Sequence, residues 1–335
     1  MMTRGIGDRQ RVGRWLAGAA LTVGAAFPIA PAANAFAGYE VSPPCDAACL
    51  EGFMNRYLEA LPAHGGSGLP WADRVKFSEN NVWLHIGDGL WGTATARPTR
   101  MLIFTDPQTG QVGGLGLVEQ RGQLAYFGVR LKITDGRIAE AETLTNQPDT
   151  SKPPSPAAGD PKVLFHYPEM ERVLPPEQRT PRLRMIDLAN GYFSTLQLND
   201  GKLFTTFSAD CRRQENGFES AGNPKFDRPE GKLSCGDQFK TGTFIFDTAV
   251  RDRAYILVDE ARGLVLARAF IDHNAASSED HLADGSVVKS YIRYPNSLSM
   301  LELFHITAGR IDRIEVVHID VPYAMPSVWR PEKEP

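Results

Sequence analysis

The chain has 335 residues, of which 42% are hydrophobic and 23% charged, and its formal net charge at pH 7 is −4. These are the proportions of an ordinary globular protein, so a largely disordered chain and a collagen-like chain are both excluded. The mild acidity and the lack of a basic patch in the sequence argue against nucleic acid as a partner. No apolar run reaches the roughly 20 residues of a transmembrane helix, so no stable membrane insertion is expected.

The first 35 residues have the pattern of a secretory signal peptide. Four arginines between positions 4 and 14 precede an apolar, alanine-rich stretch from Trp15 to Pro31, and Ala33 and Ala35 supply small residues at the −3 and −1 positions of a cleavage site. We therefore expect cleavage before Phe36 and a mature protein that is periplasmic or secreted. An uncleaved N-terminal anchor is the alternative interpretation of the same stretch.

The four cysteines are expected to form disulfides, because an even number of cysteines in an oxidising compartment favours pairing. Cys45 and Cys49 lie four residues apart at a predicted helix start, and Cys211 and Cys235 flank a loop rich in Gly, Pro and Asn. We predict the pairs Cys45–Cys49 and Cys211–Cys235. A metal site is the competing interpretation, but no histidine stands near either pair at ligand spacing, so no metal is expected.

A stretch rich in Pro, Ser and Asp, from Asn146 to Asp160, divides the chain near its middle. Its adjacent prolines favour neither a helix nor a central strand, and a second proline pair follows at 175–176. We therefore predict a linker over 147–183, between a first domain at 36–146 and a second domain at 184–330.

The two halves contain the same predicted elements in the same order. Each begins with a helix, 48–61 or 184–198, followed by a short strand that ends in Phe-Ser and by several long strands. Two pairs of segments also match in residues, Arg100–Asp106 with Arg253–Asp259 and Ile133–Glu142 with Ile306–Glu315. The first pair is followed by matching glycines, Gly110 and Gly263. This favours internal duplication, and a helix before an antiparallel meander predicts an α+β fold with the N-terminal helix covering a bent sheet.

The closing hairpin carries a family resemblance. The segment Leu303–Glu315, an Ala-Gly turn between two alternating apolar runs, looks like the final hairpin of the NTF2-like (SnoaL-like) cone fold, and so does its first-half equivalent. The segment 321–329 is similar to a tail of uncharacterised bacterial and fungal members. The resemblance covers most of 45–146 and 184–329 and implies two tandem cones whose mouths admit a small, mostly apolar ligand. Members include isomerases, cyclases, dehydratases, epoxide hydrolases, lyases and non-catalytic domains, so the fold does not define the function.

Strand pairing in this hairpin predicts a one-sided polar face. If Ala308-Gly309 is a two-residue turn, His305 lies opposite Asp312 and Leu303 opposite Ile314. One face then combines aliphatic side chains with two imidazoles and a carboxylate, the composition of a small-molecule cavity. Its residues are Leu301, Leu303, His305, Ile314, Val316, His318 and Asp320. The opposite face, which includes Glu302, is predicted to point outwards.

We predict that the second half carries the chemistry, because the first-half hairpin places Arg130 opposite alanines and yields no acid/base pair. The catalytic candidates are His318 and His305 as acid or base, Asp320 or Asp272 as the orienting carboxylate, and Tyr323 as the donor to an oxyanion. The candidates for substrate contact are Leu301, Leu303, Ile314, Val316 and Tyr192. Each candidate also has a purely structural interpretation. A histidine on a strand is usually a core residue, and Asp272-His273 fits a turn at the end of a strand better. Tyr323 and Tyr192 could simply pack against their neighbours.

These residues indicate an exported enzyme that needs no cofactor and moves protons on a small apolar or aromatic substrate, as an isomerase, dehydratase or lyase does. His318, which we expect to lie deeper than His305, is the first choice for catalysis, and His305 beside Asp312 is expected to support binding. The alternative is a non-catalytic protein that binds a small ligand or a partner, its two cones forming an internal pseudo-dimer. The lack of a sharp catalytic motif favours this alternative.

Overall fold

The computed structural model describes residues 45–149, 151, 155, 158–283, 285–290 and 292–330, and the predicted signal peptide lies outside them. The elements described in the first half are α1 (Ala47–Ala60), β1 (Trp71–Glu79), β2 (Val82–Trp83), β3 (Thr99–Asp106), β4 (Gln111–Gln120), β5 (Gln123–Thr134) and β6 (Arg137–Asn146). Those in the second half are α2 (Arg182–Leu198), β7 (Phe207–Glu215), β8 (Phe218–Ala221), α3 (Cys235–Lys240), β9 (Ala249–Asp259), β10 (Leu264–His273), β11 (Glu279–His281), β12 (Val287–Lys289), β13 (Asn296–Thr307) and β14 (Arg310–Pro322). Short 3₁₀ turns lie at Gly66–Gly68, Gly89–Gly92, Pro161–Val163, Pro168–Glu171, Pro176–Gln178 and Pro229–Lys232.

Each half builds a six-stranded sheet, and the two sheets have the same strand order. The first runs β2-β1-β6-β5-β4-β3 and the second β8-β7-β14-β13-β10-β9. In both, the strand after the main helix pairs in parallel with the last strand of that half, β1 with β6 and β7 with β14. The other neighbours within these two sheets are antiparallel. The described chain is a mixed α+β protein, as the sequence predicts.

Gly110 and Gly263 occupy the same point in the two sheets. Both have positive φ, 67° and 70°. Their carbonyl oxygens accept hydrogen bonds from the backbone N–H groups of Ile133 (2.7 Å) and Ile306 (2.8 Å). A Cβ on either glycine would overlap the carbonyl oxygen of the same isoleucine, and the left-handed backbone also favours glycine. The matching glycines in the sequence therefore reflect one close contact that both sheets share.

The main helices form close to the predicted positions. Asp46 caps the N-terminus of α1, and its side chain accepts a hydrogen bond from the Cys49 N–H at 2.9 Å. Asn199, in the left-handed conformation, caps the C-terminus of α2. The Tyr192 ring of α2 lies 4.9 Å from the Phe304 ring of β13, so this helix contacts the second sheet. No described helix is long and apolar enough to cross a membrane.

Both predicted disulfides are present. Cys45–Cys49 spans the start of α1, and Cys211–Cys235 joins β7 to α3, each with its Cα atoms 5.3 Å apart. Cys211 and Cys235 are fully buried in the core beneath α2. The second disulfide therefore fastens the 222–234 loop and α3 to the sheet.

The two sheets share an apolar core, formed by the sheet faces opposite to those that contact α1 and α2. Leu115 and Leu117 of β4 belong to it, together with Leu301 and Leu303 of β13. A Cβ on Gly128 of β5 would lie 3.2 Å from the side chain of Leu301, so Leu301 packs directly against β5 at this point.

A buried ion cluster at the same interface corrects one prediction. Arg130 lies opposite Glu142 rather than opposite alanines, because a one-residue β-bulge between Lys132 and Ile133 shifts the register of the β5–β6 hairpin. Arg130 Nε is 3.1 Å from the Glu142 carboxylate, and Arg268 of the second sheet is 2.8 Å from the same oxygen. The first-half hairpin therefore does contain a charged pair, which joins the two sheets.

The described part of the predicted linker packs against the second sheet. Its apolar residues Leu164, Tyr167 and Met170 are buried. The Tyr167 N–H donates to Glu315 of β14 at 2.9 Å, and the His166 ring lies 2.6 Å from the same carboxylate. These contacts hold the connection between the halves in place.

Candidate functional site

The second half encloses a cavity of about 290 Å³ between α2, β7, the 244–247 segment and the strands β10, β13 and β14. Apolar residues such as Leu196, Ile271, Leu298 and Met300 form most of its wall. The polar residues that line it are Tyr192, Arg213, Glu215, Asp247, His273, Asn296, Glu302, His318 and Asp320. A cavity near this size with a few convergent polar groups is typical of a small-molecule site.

The register of the last hairpin decides which side chains reach this cavity. The Ala308-Gly309 turn pairs Thr307 with Arg310, in agreement with the prediction. A one-residue β-bulge between His305 and Ile306 then shifts every further pair by one. The predicted pairing is therefore wrong beyond the bulge, and the residues of β13 lie on the face opposite to the predicted one.

This shift moves some of the predicted residues out of the cavity. On β14, Val316, His318 and Asp320 line the cavity, whereas Ile314 is buried in the core beside α2. On β13, the cavity is lined by Asn296, Leu298, Met300 and Glu302. Leu301 and Leu303, predicted to contact the substrate, belong instead to the core between the two sheets.

The outer end of the cavity, where Asp320 is exposed, holds a hydrogen-bonded chain of four residues. His273 Nε2 is 2.8 Å from Asp247 Oδ1, and its Nδ1 is 3.0 Å from Asn296 Oδ1. The Asn296 amide donates to Asp320 at 3.0 Å. Burial alone would lower the pKa of His273, but the hydrogen bond to Asp247 and the charge of that carboxylate outweigh it and raise the pKa. His273 is therefore held protonated to a higher pH than an ordinary histidine.

The inner end of the cavity holds a buried carboxyl group. Glu302 is 2% exposed and is a hydrogen-bond partner of the Tyr192 hydroxyl. Burial raises the pKa of Glu302 to about 8, although the positive charge of Arg213 opposes this shift. Arg213 forms its ion pair with Glu215, at 2.7 Å, rather than with Glu302. Glu302 is therefore mostly a neutral acid at pH 7.

His318 lies between the two ends. It pairs with Met300 of β13. On the cavity face of β13, the next residue towards the inner end is Glu302, and the next towards the outer end is Leu298, which pairs with Asp320. The side chain is nearly buried, and the backbone N–H donates to Asn216 Oδ1 at 3.0 Å. His318 and Asp320 therefore both line the cavity from one face of β14.

Three predicted catalytic residues lie outside the cavity wall. His305 is 2.6 Å from Asp312, as predicted, but it lies on the sheet face opposite to Glu302. Asp272 forms a two-pronged ion pair with Arg251, at 2.8 and 2.9 Å, and lies within β10 rather than in the favoured turn. Tyr323 is 46% exposed, just beyond β14.

Sequence reasoning missed His273, Asp247 and Glu302 as cavity residues. The sequence offers Asp272-His273 as a further base but favours a strand-end turn for the pair, and Asp247 stands 26 residues away from its partner His273. Glu302 was predicted to point outwards, because the bulge has no signature in the sequence. Alternation along β10, which places His273 on the face opposite to Asp272, is the signal that could have identified the histidine.

The first half has apolar or small residues at the equivalent positions. In the two halves, Val129 and Glu302 each lie four residues before the isoleucine that follows the bulge. When the two hairpins are aligned on these isoleucines, Thr145 of β6 corresponds to His318 of β14. Val129 is packed in the core beneath α1 with Phe127 and Leu131. The polar cavity is therefore a property of the second half within the part of the chain that the structure describes. The described residues contain no group of three or more His, Cys, Asp or Glu that could hold a metal ion.

Comparison with known proteins gives a family without an assigned role. Residues 178–318, which include α2 and most of the cavity, match "Domain of unknown function (DUF8021)". This segment is less than half of the chain. No curated protein matches the chain.

Three solved structures show partial similarity. A protein from Sphaerobacter thermophilus is 15% identical, with a TM-score of 0.25, over 29% of this chain and 94% of its own. An NTF-2 like protein of unknown function from Burkholderia xenovorans LB400 is 10% identical, with a TM-score of 0.24, over 30% of this chain and 84% of its own. A de novo designed protein with a curved β-sheet is 12% identical, with a TM-score of 0.22, over 29% and 80%. TM-scores of this size do not establish a common fold.

Proposed function

We propose that the chain is an exported protein of two tandem NTF2-like (SnoaL-like) domains, at 36–146 and 184–330, which pack as an internal pseudo-dimer. The equal strand order of the two sheets and their shared core support this arrangement. Two disulfides support export to the periplasm or the outside of the cell, because disulfides persist in oxidising compartments.

The second domain, in this proposal, is an enzyme that carries out cofactor-independent acid/base chemistry on a small apolar or aromatic molecule, as an isomerase, dehydratase or lyase does. One observation carries it: an imidazole and a neutral carboxyl group, His318 and Glu302, face the same largely apolar cavity. Burying ionisable groups in an apolar cavity costs folding free energy, so such groups mark functional sites. Proton transfer needs an acid and a base, and the pKa of the acid should lie near the working pH. Glu302, with a pKa of about 8, meets this need, and His318 supplies an imidazole, the commonest general base in enzymes.

The residues of the cavity divide the task by position. His318, at mid-depth, is the proposed base, and Glu302 with Tyr192 is the proposed hydrogen-bond donor to the substrate oxygen. The hydrogen-bonded side chains of Asp247, His273, Asn296 and Asp320 stabilise the outer end of the cavity. His273 has no catalytic role in this proposal, because both of its ring nitrogens already have partners. His305, Asp272 and Tyr323 have structural roles in this proposal, since they do not line the cavity.

The test uses the full chain in D₂O with a panel of small cyclic ketones and alcohols. We expect deuterium to enter a ketone at the carbon next to the carbonyl, or an alcohol to eliminate water, faster than in buffer alone. His318→Ala should remove at least about 90% of this rate. His305→Ala is the control, because this histidine lies on the other face of the sheet. Equal losses in the two variants, or an unchanged rate in His318→Ala, would contradict the assignment.

The second candidate function is storage or transport of a small ligand without chemistry. It is favoured by His273, whose hydrogen bonds to Asp247 and Asn296 leave it no ring nitrogen for a substrate. A carrier returns its ligand unchanged. Native mass spectrometry that detects a bound compound, combined with no exchange and no conversion in D₂O, would favour this function over the enzyme.

A further inference from the structure

We infer that the second half has an additional binding site for an organic cation, in which the carboxylate of Asp280 is the counterion of an ammonium group with a small apolar substituent. The site lies between the β11–β12 hairpin and the 245–248 segment, and we call it the hairpin pocket. It is separate from the cavity that contains His318, and it would be present whether or not that cavity is catalytic.

The hairpin pocket has a volume of about 320 Å³ and adjoins the cavity that contains His318. Phe246 and Ile292 line both spaces. No polar residue of the described chain lines both of them. The two spaces therefore present different chemistry to a ligand.

The backbone on either side of Asp280 is fixed by hydrogen bonds. Strands β11 and β12 are antiparallel, and the Ser290 N–H donates to the Ser278 carbonyl oxygen at 2.9 Å. Beyond β11, the Ala283 N–H donates to the carbonyl oxygen of Thr241, at the end of α3, at 2.9 Å. These bonds attach the hairpin to the rest of the second half and position the Asp280 carboxylate in the pocket wall.

Asp280 is a buried carboxylate that lacks a strong cationic partner. The residue is 5% exposed. In the described part of the chain, the groups that act on its carboxylate are the Ser290 hydroxyl, by a hydrogen bond, and the His281 ring, by its charge. Burial raises the pKa of Asp280, and these two groups do not offset it. Since a buried carboxylate without an ion-pair partner is costly, a cation from outside the chain would stabilise it.

The rest of the pocket wall favours a cation that carries a hydrocarbon part. The titratable residues that line it are Glu279, Asp280 and His281, and no lysine or arginine lines its described wall. Its large apolar residues are Ile245, Phe246 and Ile292. An anion would meet two carboxylates here, whereas an ammonium group gains the charge of Asp280 and its apolar substituent gains contact with the hydrophobic side chains.

A bare metal ion fits the hairpin pocket less well than an organic cation. Calcium takes about six to eight oxygen ligands. The pocket offers one buried carboxylate, and the described residues contain no group of three or more His, Cys, Asp or Glu that could hold a metal ion. Its volume and its apolar wall suit a compact organic molecule instead.

The probes are three compounds with the same ring: benzylamine, benzyl alcohol and benzoate. Their dissociation constants with the full chain are measured by ligand-observed NMR at pH 7. We expect benzylamine to bind at least about tenfold more tightly than the other two, because hydrogen bonds between charged partners are the strong ones. Calcium chloride is added as a competitor and should not displace benzylamine.

Asp280→Asn removes the charge and keeps the size of the side chain. The affinity for benzylamine should fall at least about tenfold, whereas the affinity for benzyl alcohol should change less than about twofold. Asp320→Asn is the matched control, because Asp320 lines the neighbouring cavity and not the hairpin pocket. This variant should keep the wild-type affinity for benzylamine.

Urea unfolding without a ligand distinguishes a binding site from a structural carboxylate. Asp280→Asn should be at least as stable as the wild-type protein, because the carboxylate that it replaces is buried without an ion-pair partner. An amide oxygen can still accept the hydrogen bond from Ser290. A lower free energy of unfolding in this variant would show that Asp280 is structural and would overturn the assignment.

The other outcomes are equally distinct. A preference for benzyl alcohol or benzoate, no binding of benzylamine, its displacement by calcium, or a loss of affinity in Asp320→Asn as large as that in Asp280→Asn would each contradict the cation site. A loss confined to a stable Asp280→Asn variant supports it. Deuterium exchange in the His318→Ala test reports on the other cavity, so either result there leaves the cation site as it stands.

Discussion

Asp272 and Glu302 are both buried carboxyl groups of the second sheet, yet their pKa values move in opposite directions. Burial disfavours ionisation of Asp272, but hydrogen bonds from Arg251 and Ser297 outweigh it and lower the pKa. For Glu302, burial prevails and raises the pKa to about 8, because Arg213 is paired with Glu215. Asp272 is therefore an anion because it has an ion-pair partner, whereas Glu302 is a neutral acid because it has none.

This difference predicts how Glu302→Gln changes stability with pH. The carboxyl binds its proton more tightly in the folded state (pKa about 8) than in the unfolded state, where a glutamate has its ordinary pKa of 4.5. The free energy of unfolding of the wild-type protein therefore decreases as the pH rises between these values. Relative to wild type, the free energy of unfolding of Glu302→Gln should increase by up to about 1.4 kcal/mol per pH unit in this window and level off above it. Urea unfolding of both proteins between pH 4.5 and pH 9 measures the difference. A difference that does not depend on pH would show that Glu302 is ionised in the folded protein.

At the level of elements, both halves repeat one irregularity in their last hairpin. A one-residue bulge follows Lys132 in the first half and His305 in the second, at positions that match in the repeat. The extra residue is Ala139 of β6 or Asp312 of β14, and it shifts the pairing so that Arg130 lies opposite Glu142 and Glu302 lies opposite Val316. Because side chains alternate with a period of two, one extra residue exchanges the two faces of the strand.

The disulfides differ in the length of the loops that they close, and this predicts unequal effects. Cys211–Cys235 closes a loop with a sequence separation of 24 and Cys45–Cys49 one of 4. The chain-entropy model gives about 3.5 kcal/mol for the longer loop and about 2 kcal/mol for the shorter one. The double variant Cys211→Ala/Cys235→Ala should therefore be less stable in urea than Cys45→Ala/Cys49→Ala. The reverse order would mean that loop closure does not dominate these contributions.

At the level of the whole molecule, the two sheets are joined by apolar contacts, by ion pairs and by the C-terminal segment. The Trp329 ring lies 4.6 Å from the guanidinium of Arg130 and 5.5 Å from that of Arg268, which belong to different sheets. Its indole N–H donates to Ser78 of β1 at 2.9 Å. The segment after β14 therefore returns to the first half and contacts both sheets.

Glu142→Gln should destabilise the contact between the sheets. Glu142 is the carboxylate between Arg130 and Arg268, and its removal leaves two buried guanidinium groups without their shared counterion. Loss of one partner from a buried ion pair costs about 3–5 kcal/mol. Glu140→Gln is the matched control, because this residue is 24% exposed and contacts only Arg130 among these arginines, so we expect a smaller loss. The free energy of unfolding in urea distinguishes the two, and equal losses would contradict the role of Glu142 in joining the sheets.

Local features of this protein were determined by its sequence alone. The structure contains four features that depend on residues near in the chain or on their spacing. They are the helix start at Asp46, the Ala308-Gly309 turn, the two cysteine pairs and the repeated glycines. Alternation also predicted that His318 and Asp320 share a face, because no bulge separates them.

The composition of the cavity was decided by the tertiary structure. The register shift beside His305 places Glu302, rather than Leu301 or Leu303, on the same face as His318. The elevated pKa of Glu302 depends on burial under Tyr192, more than 100 positions earlier in the chain, and on the engagement of Arg213 by Glu215. Desolvation and partner charges are set by residues that meet only in the folded protein, so sequence pattern identified the half of the chain that carries the cavity but not the carboxyl group at its inner end.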